Sequence, residues 1–324
     1  MTDGGSVAGS GSAAGSGSVA REGRRAAVLG HPIAHSLSPA LHRAAYAALG
    51  LTGWEYTAID VTEDDLPGFV RGLGPRWAGL SLTMPLKRTV RPLLAAESSL
   101  ARRVGAVNTV VLGPDGAVGH NTDVPGIVGA LREAGIDRLP SGGGVVLGGG
   151  ATAASALAAL REMGCDRPRV LVRSRARAAD LLVACERLDI SPELMDLQDV
   201  VDGRAELGGP EVVVSTLPPG AADRLASGLV RAVSCPGCSP PTAQPTAADP
   251  AAGAPVLLDV VYAPWPTALA RSWLAGGWTV VGGFEMLLHQ AAGQVELMTG
   301  RPAPLEGMRA AGEHELARRS TPSP

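Results

Sequence analysis

Short apolar runs alternate with helix-patterned segments from Ala26 onward, and that alternation confines the chain to α/β architectures in which helices cover a mainly parallel sheet. AAVLG (26–30), WEYTAIDV (54–61) and WAGLSLT (77–83) read as the first strands. Between them, SPALHRAAYAALG (38–50) predicts a helix with Ser38 as N-cap, Pro39 at the first helical position and Gly50 as its stop. TEDDLPGFVRGL predicts a second helix, opened by Thr62 and acidic residues. The rhythm breaks at AVNTVVLGPDGAVGHNTD (106–123), where two apolar runs flank a Pro-Asp-Gly turn and predict a hairpin. VPGIVGALREAG then predicts a connecting helix into a second α/β unit, with strands at GVVL, RVLVRS, EVVVST and VLLDVVY. GGFEMLLHQAAGQVELMTG (282–300) predicts a closing amphipathic helix whose destination the pattern leaves open.

The 324 residues suffice for two domains, each with its own core. A formal net charge of -3 gives no basic footprint for nucleic acid or an anionic membrane, so small molecules are the expected partners. Residues 1–24 are Gly/Ser/Ala-rich and predict a flexible tail. No apolar run has the length of a signal peptide or a membrane span, which predicts a cytoplasmic protein. Cys165 and Cys185 fall in helical patterns, whereas Cys235 and Cys238 form CPGC at the head of a Pro/Ala-rich stretch. A lone CxxC is half a zinc set, so no metal site is expected and the thiols read as reduced and incidental.

Gly148, Gly150 and Ala153 fit the form G-x-G-x-x-G/A between a β-rich run and a helix, with Gly149, Ala151 and Thr152 at the intervening positions. In that context the first glycine permits a tight turn, the second lets backbone approach a pyrophosphate, and the alanine permits close helix packing; the anion sits on the helix N-terminus. Alone, the motif is weak in a chain with 43 glycines; the strand-turn-helix setting strengthens it. The next strand ends VRSRAR, with Arg173, Ser174, Arg175 and Arg177 and no acid before Asp180. A carboxylate there would hold ribose hydroxyls and repel an added phosphate, whereas guanidinium groups bind it, so the expected cofactor is NADP. The plainer reading of one or two of these arginines is a solvated helix start.

Lys87, in SLTMPLKRT, is the single lysine among 28 Lys and Arg residues. Compositional drift could leave one lysine by accident, but only an ammonium, not a guanidinium, exchanges a proton readily once desolvated. Asparagine is as rare: Asn108 and Asn121 are the only two, and both lie near Asp123 in sequence. Their amides could support the hairpin or hold the hydroxyls of a polyol. Ser36 and Ser38, in GHPIAHSLSP, stand before a helix whose free amides favour an anion such as a carboxylate.

In chain order, HSLSP, SLTMPLK, GAVNT, GHNTD, the glycine turn with its arginine-bearing second strand, and MLLHQA resemble the shikimate dehydrogenase family. The resemblance implies NADPH-dependent, reversible reduction of 3-dehydroshikimate to shikimate on the route to chorismate and aromatic amino acids. It also implies an N-terminal α/β substrate domain (25–123 with 283–324) and a Rossmann-like NADP domain (124–282), the last helices returning to the first domain and the site lying between the two. By motif, Lys87 and Asp123 are the expected catalytic pair. Ser36, Ser38 and Tyr262 would bind the carboxylate; Thr83, Asn108 and Gln290, with the pair, would surround the hydroxyls and reacting carbon. Thr216, Val260 and Gly283 join the glycine turn and arginines as expected cofactor contacts. The assembly is expected to be a monomer or homodimer.

Three positions depart from the family pattern. Ser81 stands where asparagine is common, Val172 where an asparagine often precedes the phosphate-binding arginine, and Glu285 where glycine is usual, so that its carboxylate would enter the nicotinamide region or point to solvent. Two rival readings follow: a related dehydrogenase for quinate or an aminated shikimate analogue using NAD, and a module that senses NADP or shikimate without turnover.

Overall fold

The structure is a computed structural model and describes residues 23–234 and 255–320. Most of the expected tail, the CPGC cysteines Cys235 and Cys238 and the side chain of Arg177 lie outside the described residues.

The first sheet has strands β1 (Arg25–Gly30), β2 (Glu55–Asp60), β3 (Trp77–Leu82), β4 (Ala96–Glu97), β5 (Thr109–Gly113) and β6 (Gly116–His120) in the order β2-β1-β3-β5-β6-β4. β1 runs parallel to β2 and β3, while the hairpin β5-β6 adds antiparallel to β3. Helices α1 (Ser38–Ala48), α2 (Leu66–Arg71), α3 (Leu86–Thr89) and α4 (Ser99–Val104) accompany it. α5 (Asp123–Glu133) leads into the second sheet: β7 (Gly144–Leu147), β8 (Arg169–Val172), β9 (Glu193–Asp196), β10 (Val212–Ser215), β11 (Val256–Asp259) and β12 (Val280–Gly282). This sheet is parallel throughout, in the order β9-β8-β7-β10-β11-β12, the doubly wound arrangement whose direction of growth reverses between β7 and β10. Its helices are α6 (Ala151–Glu162), α7 (Ala179–Leu188), α8 (Leu197–Val201), α9 (Ala226–Val233) and α10 (Ala268–Ala275).

The sequence explains these layers. β7, β10 and β11 are buried along their whole length, as strands covered on both faces must be, so they read as apolar runs broken only by Ser215 and Asp259 at the carboxyl ends of β10 and β11. α6 is buried at every position from Ala153 to Leu160, and its alanines let it pack closely among its neighbours. The closing helices α11 (Gly283–Thr299) and α12 (Leu305–Ser320) return to the first unit: Phe284, Leu288, Ala291, Val295 and Met308 form one apolar cluster with Leu37, Leu41 and Ala45 beside α1. α11 also crosses α5 at Gly126, where an added Cβ would lie 2.8 Å from the Gln290 Cβ and 2.9 Å from the Met286 carbonyl oxygen. That close crossing brings Gln290 to the start of α5.

Two helix starts differ from expectation. Leu37, not Ser38, is the N-cap of α1; Ser38 is its first residue and is buried, and the Ser36 hydroxyl accepts the Ser38 N–H at 3.3 Å. α2 begins at Leu66 because Thr62 and Asp65 close a local turn instead, with hydroxyl and carboxylate 2.6 Å apart. Among the described residues no helix is long and apolar enough to cross a membrane, and no cluster of His, Cys, Asp or Glu could hold a metal.

Candidate active site

A cavity of about 280 Å³ opens at the carboxyl ends of β1 and β3. Ser36, Ser38, Thr83, Lys87, Asp123 and Gln290 line it, and Thr152, Val260, Tyr262 and Gly283 close it from the second unit and the start of α11. Ser36 and Gln290 come from opposite ends of the sequence; α11, packed against both α1 and α5, joins them.

Lys87 lies on the single turn of α3 after β3, and its carbonyl accepts the Val107 N–H at 2.8 Å, which ties that turn to the hairpin. Its Nζ donates to Asp123 Oδ2 at 2.5 Å, with the two side chains 13% and 4% exposed. Removal from water strengthens such a pair, and the paired geometry limits the penalty of burying either charge alone. Asp123 is the first residue of α5, where its carboxylate also faces the positive end of the helix.

Asn108 does not line the cavity; it sits behind Asp123. Its Nδ2 donates to Asp123 Oδ1 at 2.7 Å and to Thr122 Oγ1 at 2.9 Å, while its Oδ1 accepts the Thr122 N–H at 2.7 Å. Asn121 is engaged elsewhere, donating to the Ala106 carbonyl and Ser155 Oγ and accepting the Val124 N–H. Tyr262 is half-buried; its removal from water pushes its phenol up, while the charge of Arg319 pulls it back.

On the second unit, Gly148 has φ +116 and an added Cβ would lie 2.5 Å from Thr216 Oγ1, so both conformation and space require glycine. Thr216 Oγ1 donates to the Leu147 carbonyl at 2.8 Å and fixes the turn. Gly150 precedes α6 in extended conformation, no side chain caps that helix, and a Cβ at Gly150 would meet open space. The first-turn amides, with Gly149, Ala151 and Thr152, are therefore accessible to an anion, and Ala153 is fully buried beneath them. At the end of β8, Arg173 is exposed and Ser174 half-buried, whereas Arg175 donates to the Leu194 carbonyl at 2.9 Å and so braces β9. Val172 packs under the glycine turn, 3.6 Å from a Cβ placed at Gly149. Asp180, the first acid after this strand, pairs with Arg88 at 2.6 Å. The residues fit a dinucleotide carrying an extra phosphate: free helix amides, a glycine turn without side chains, and a cationic strand end without an acid.

Glu285 neither lines this cavity nor points freely to solvent. Its carboxylate binds Arg309 of α12, which also binds Glu133 of α5 at 2.8 Å. These groups border a larger cavity of about 870 Å³ that shares Tyr262 and Gly283 but contains neither Lys87 nor Asp123. Ser81 enters a buried polar chain not anticipated from sequence: Tyr56 donates to its hydroxyl at 2.6 Å, and it donates to Gln294 Oε1 at 2.8 Å. Gln294 Nε2 donates to Thr109 Oγ1 at 3.1 Å, and Thr109 donates to Asn108 Oδ1 at 2.9 Å. The available signal was Gln294 itself, a polar residue one helical turn beyond Gln290 on a buried face.

Known proteins carry the same signature. The shikimate dehydrogenase substrate binding domain matches residues 28–110, and the shikimate 5'-dehydrogenase C-terminal domain matches residues 283–311. Shikimate dehydrogenase (NADP(+)) of Halobacterium salinarum is 35% identical over 285 residues, covering 88% of this chain and 96% of that protein. The crystal structure of Mycobacterium tuberculosis shikimate dehydrogenase superposes with a TM-score of 0.73 at 38% identity, over 90% of this chain and 99% of that one. The Thermus thermophilus shikimate 5-dehydrogenase, solved in complex with NADP(H) and shikimate, gives 0.69 at 32% identity, over 90% and 99%. With relatives this similar over nearly their whole length, the chain belongs to the shikimate dehydrogenase family.

Proposed function

We propose that this chain reduces 3-dehydroshikimate to shikimate, reversibly and with NADPH, as a step of aromatic amino acid precursor synthesis. The observation that carries the reading is the Lys87–Asp123 pair, held at 2.5 Å in a cavity bounded by hydroxyl groups on one side and by the start of α6 on the other. The Ser36 and Ser38 hydroxyls and the Tyr262 phenol bind the substrate carboxylate; Thr83 and Gln290 hold its hydroxyls. When bound, the cofactor supplies the hydride. Lys87 gives a proton from Nζ to the former carbonyl oxygen and stabilises the charge that develops there. Asp123 Oδ2 aims that amine, and Asn108 fixes Asp123 through its other oxygen. The residues Gly148 to Ala153 cradle the pyrophosphate, Arg173, Ser174 and Arg177 take the 2′-phosphate, and Thr216, Val260 and Gly283 face the nicotinamide half.

In this reading residues 25–123 with 283–324 are the substrate-binding catalytic domain and 124–282 the NADP domain, and the protein works in the cytoplasm as a monomer or homodimer. The test is oxidation of NADPH with authentic 3-dehydroshikimate, run beside NADH and with quinate in the reverse direction. Turnover that prefers NADPH and shikimate supports the assignment. Preference for quinate or NADH favours the related dehydrogenase, and binding without turnover favours the sensor.

A further inference from the structure

The loop that carries Ser36 is held from behind by a residue almost at the other end of the described chain. Arg319, in the last turn of α12, donates from Nη1 to the His35 carbonyl at 2.7 Å and from Nη2 to the Ser36 carbonyl at 3.2 Å. Its Nε donates to Glu315 at 2.7 Å. We infer that Arg319 is a positioning residue for the substrate carboxylate, gripping two consecutive carbonyls so that the Ser36 and Ser38 hydroxyls face the cavity and placing positive charge behind them. This inference rests on the proposed function, since it concerns the carboxylate end of that same site.

A planar guanidinium suits this grip, because its fork meets two adjacent acceptors in one orientation, which a lysine ammonium cannot copy. With the carbonyls pinned, the Ser36 hydroxyl accepts the Ser38 N–H and the turn into α1 is set. The local charge is not cancelled. Glu315 is shared by Arg318 at 2.8 Å and Arg319, so two guanidinium groups face one carboxylate. Tyr262, which lines the same cavity as Ser36 and Ser38, feels the Arg319 charge as well. Anchoring of α12 does not depend on this contact: Met308 is fully buried in the α1–α11 cluster, and Gly312 packs against Phe284 and Leu41. Arg309 binds Glu285 and Glu133 a few turns earlier.

The test is steady-state kinetics of Arg319→Met and Arg319→Lys with shikimate and with its methyl ester, which lacks the carboxylate charge. Arg319→Met is expected to raise the KM for shikimate roughly tenfold, about 1.4 kcal/mol. The KM for NADP and kcat should stay within about twofold, because among the described residues the guanidinium bonds only to the His35 and Ser36 carbonyls and to Glu315, none of them assigned to the cofactor. The preference for acid over ester should shrink, and Arg319→Lys, which keeps charge but not the fork, should recover part of it. Equal losses for acid and ester, a matching rise in the KM for NADP, or an unchanged shikimate KM would overturn the inference. A wild-type protein inactive toward shikimate overturns the functional reading and this inference together; an active wild type with an unaffected variant overturns the inference alone.

Discussion

Acidification from about pH 7.5 to about pH 5 should remove about 2 kcal/mol of stability through one side chain, His42. His42 is fully buried on α1, stacked on Tyr56 with ring centroids 3.8 Å apart, and its Nδ1 donates to the Ser38 carbonyl at 2.9 Å. Nε2 has no partner among the described residues, so a second proton would be buried without an acceptor. Burial accordingly pushes the imidazole down from 6.5 to about 4, against the smaller upward pull of the Ser38 carbonyl. The sign is fixed by which state binds the proton. Between these values the unfolded chain is protonated and the folded chain is not, so stability is complete above about pH 6.5 and falls as pH drops toward 4. Each pH unit inside that window is worth about 1.4 kcal/mol, which gives the figure above for the descent to pH 5. Carboxylates held below their usual range, such as Glu133 and Glu315, lose their contributions only at lower pH. His120 is pushed down by partial burial and adds a change of the same sign, so the informative quantity is a difference between proteins. Urea denaturation of wild type and His42→Phe, which keeps a ring on Tyr56, measures it. The wild type should lose about 2 kcal/mol more than the variant over the interval; parallel curves for the two proteins would show that His42 does not carry the effect.

Arg173→Asp should raise the KM for NADPH by roughly 10-fold or more while changing that for NADH little, because it replaces the exposed cation at the end of β8 with a charge that repels the added phosphate. Equal losses with both cofactors would refute the phosphate assignment. Gln294→Leu leaves the hydroxyls of Ser81 and Thr109 without their buried partner and should lower unfolding free energy by about 1–3 kcal/mol. A denaturation midpoint unchanged from wild type would show that this polar chain contributes nothing.

The parts of the fold legible in the sequence are those buried on both faces. β7, β10 and β11 announce themselves as apolar runs because both faces are covered, with polar side chains only at the carboxyl ends, where Ser215 and Asp259 are buried. β9 and β12 escape the pattern: each is an edge strand, β9 buries only Met195 and β12 spans three residues. Pro39 marks the start of α1, but the cap is Leu37 and not Ser38, whose amide is met by the Ser36 hydroxyl from outside the helix. Residue chemistry at the site was readable, direction was not. Asn108 has the amide equipment for a polyol, yet its side chain points at Asp123, because the pairing of β5 with β6 sets Asn108 beside His120 and the start of α5. The partnerships of Ser81 with Gln294 and of Arg319 with the His35–Ser36 loop span 213 and more than 280 residues of sequence. No local pattern encodes such contacts; they exist only after α11 and α12 fold back on the first sheet.

Proton transfer from the Lys87 amine to the substrate is the step on which the proposed mechanism stands, and a pair of variants isolates it. Lys87→Arg keeps the charge and Lys87→Met removes it. kcat with NADPH and 3-dehydroshikimate, set beside the Kd for shikimate measured by titration, separates chemistry from binding. Both variants are predicted to lose ~10²–10⁴-fold in kcat while Lys87→Arg retains shikimate binding within about tenfold. A Lys87→Arg enzyme that turns over at near the wild-type rate would show that the amine transfers no proton.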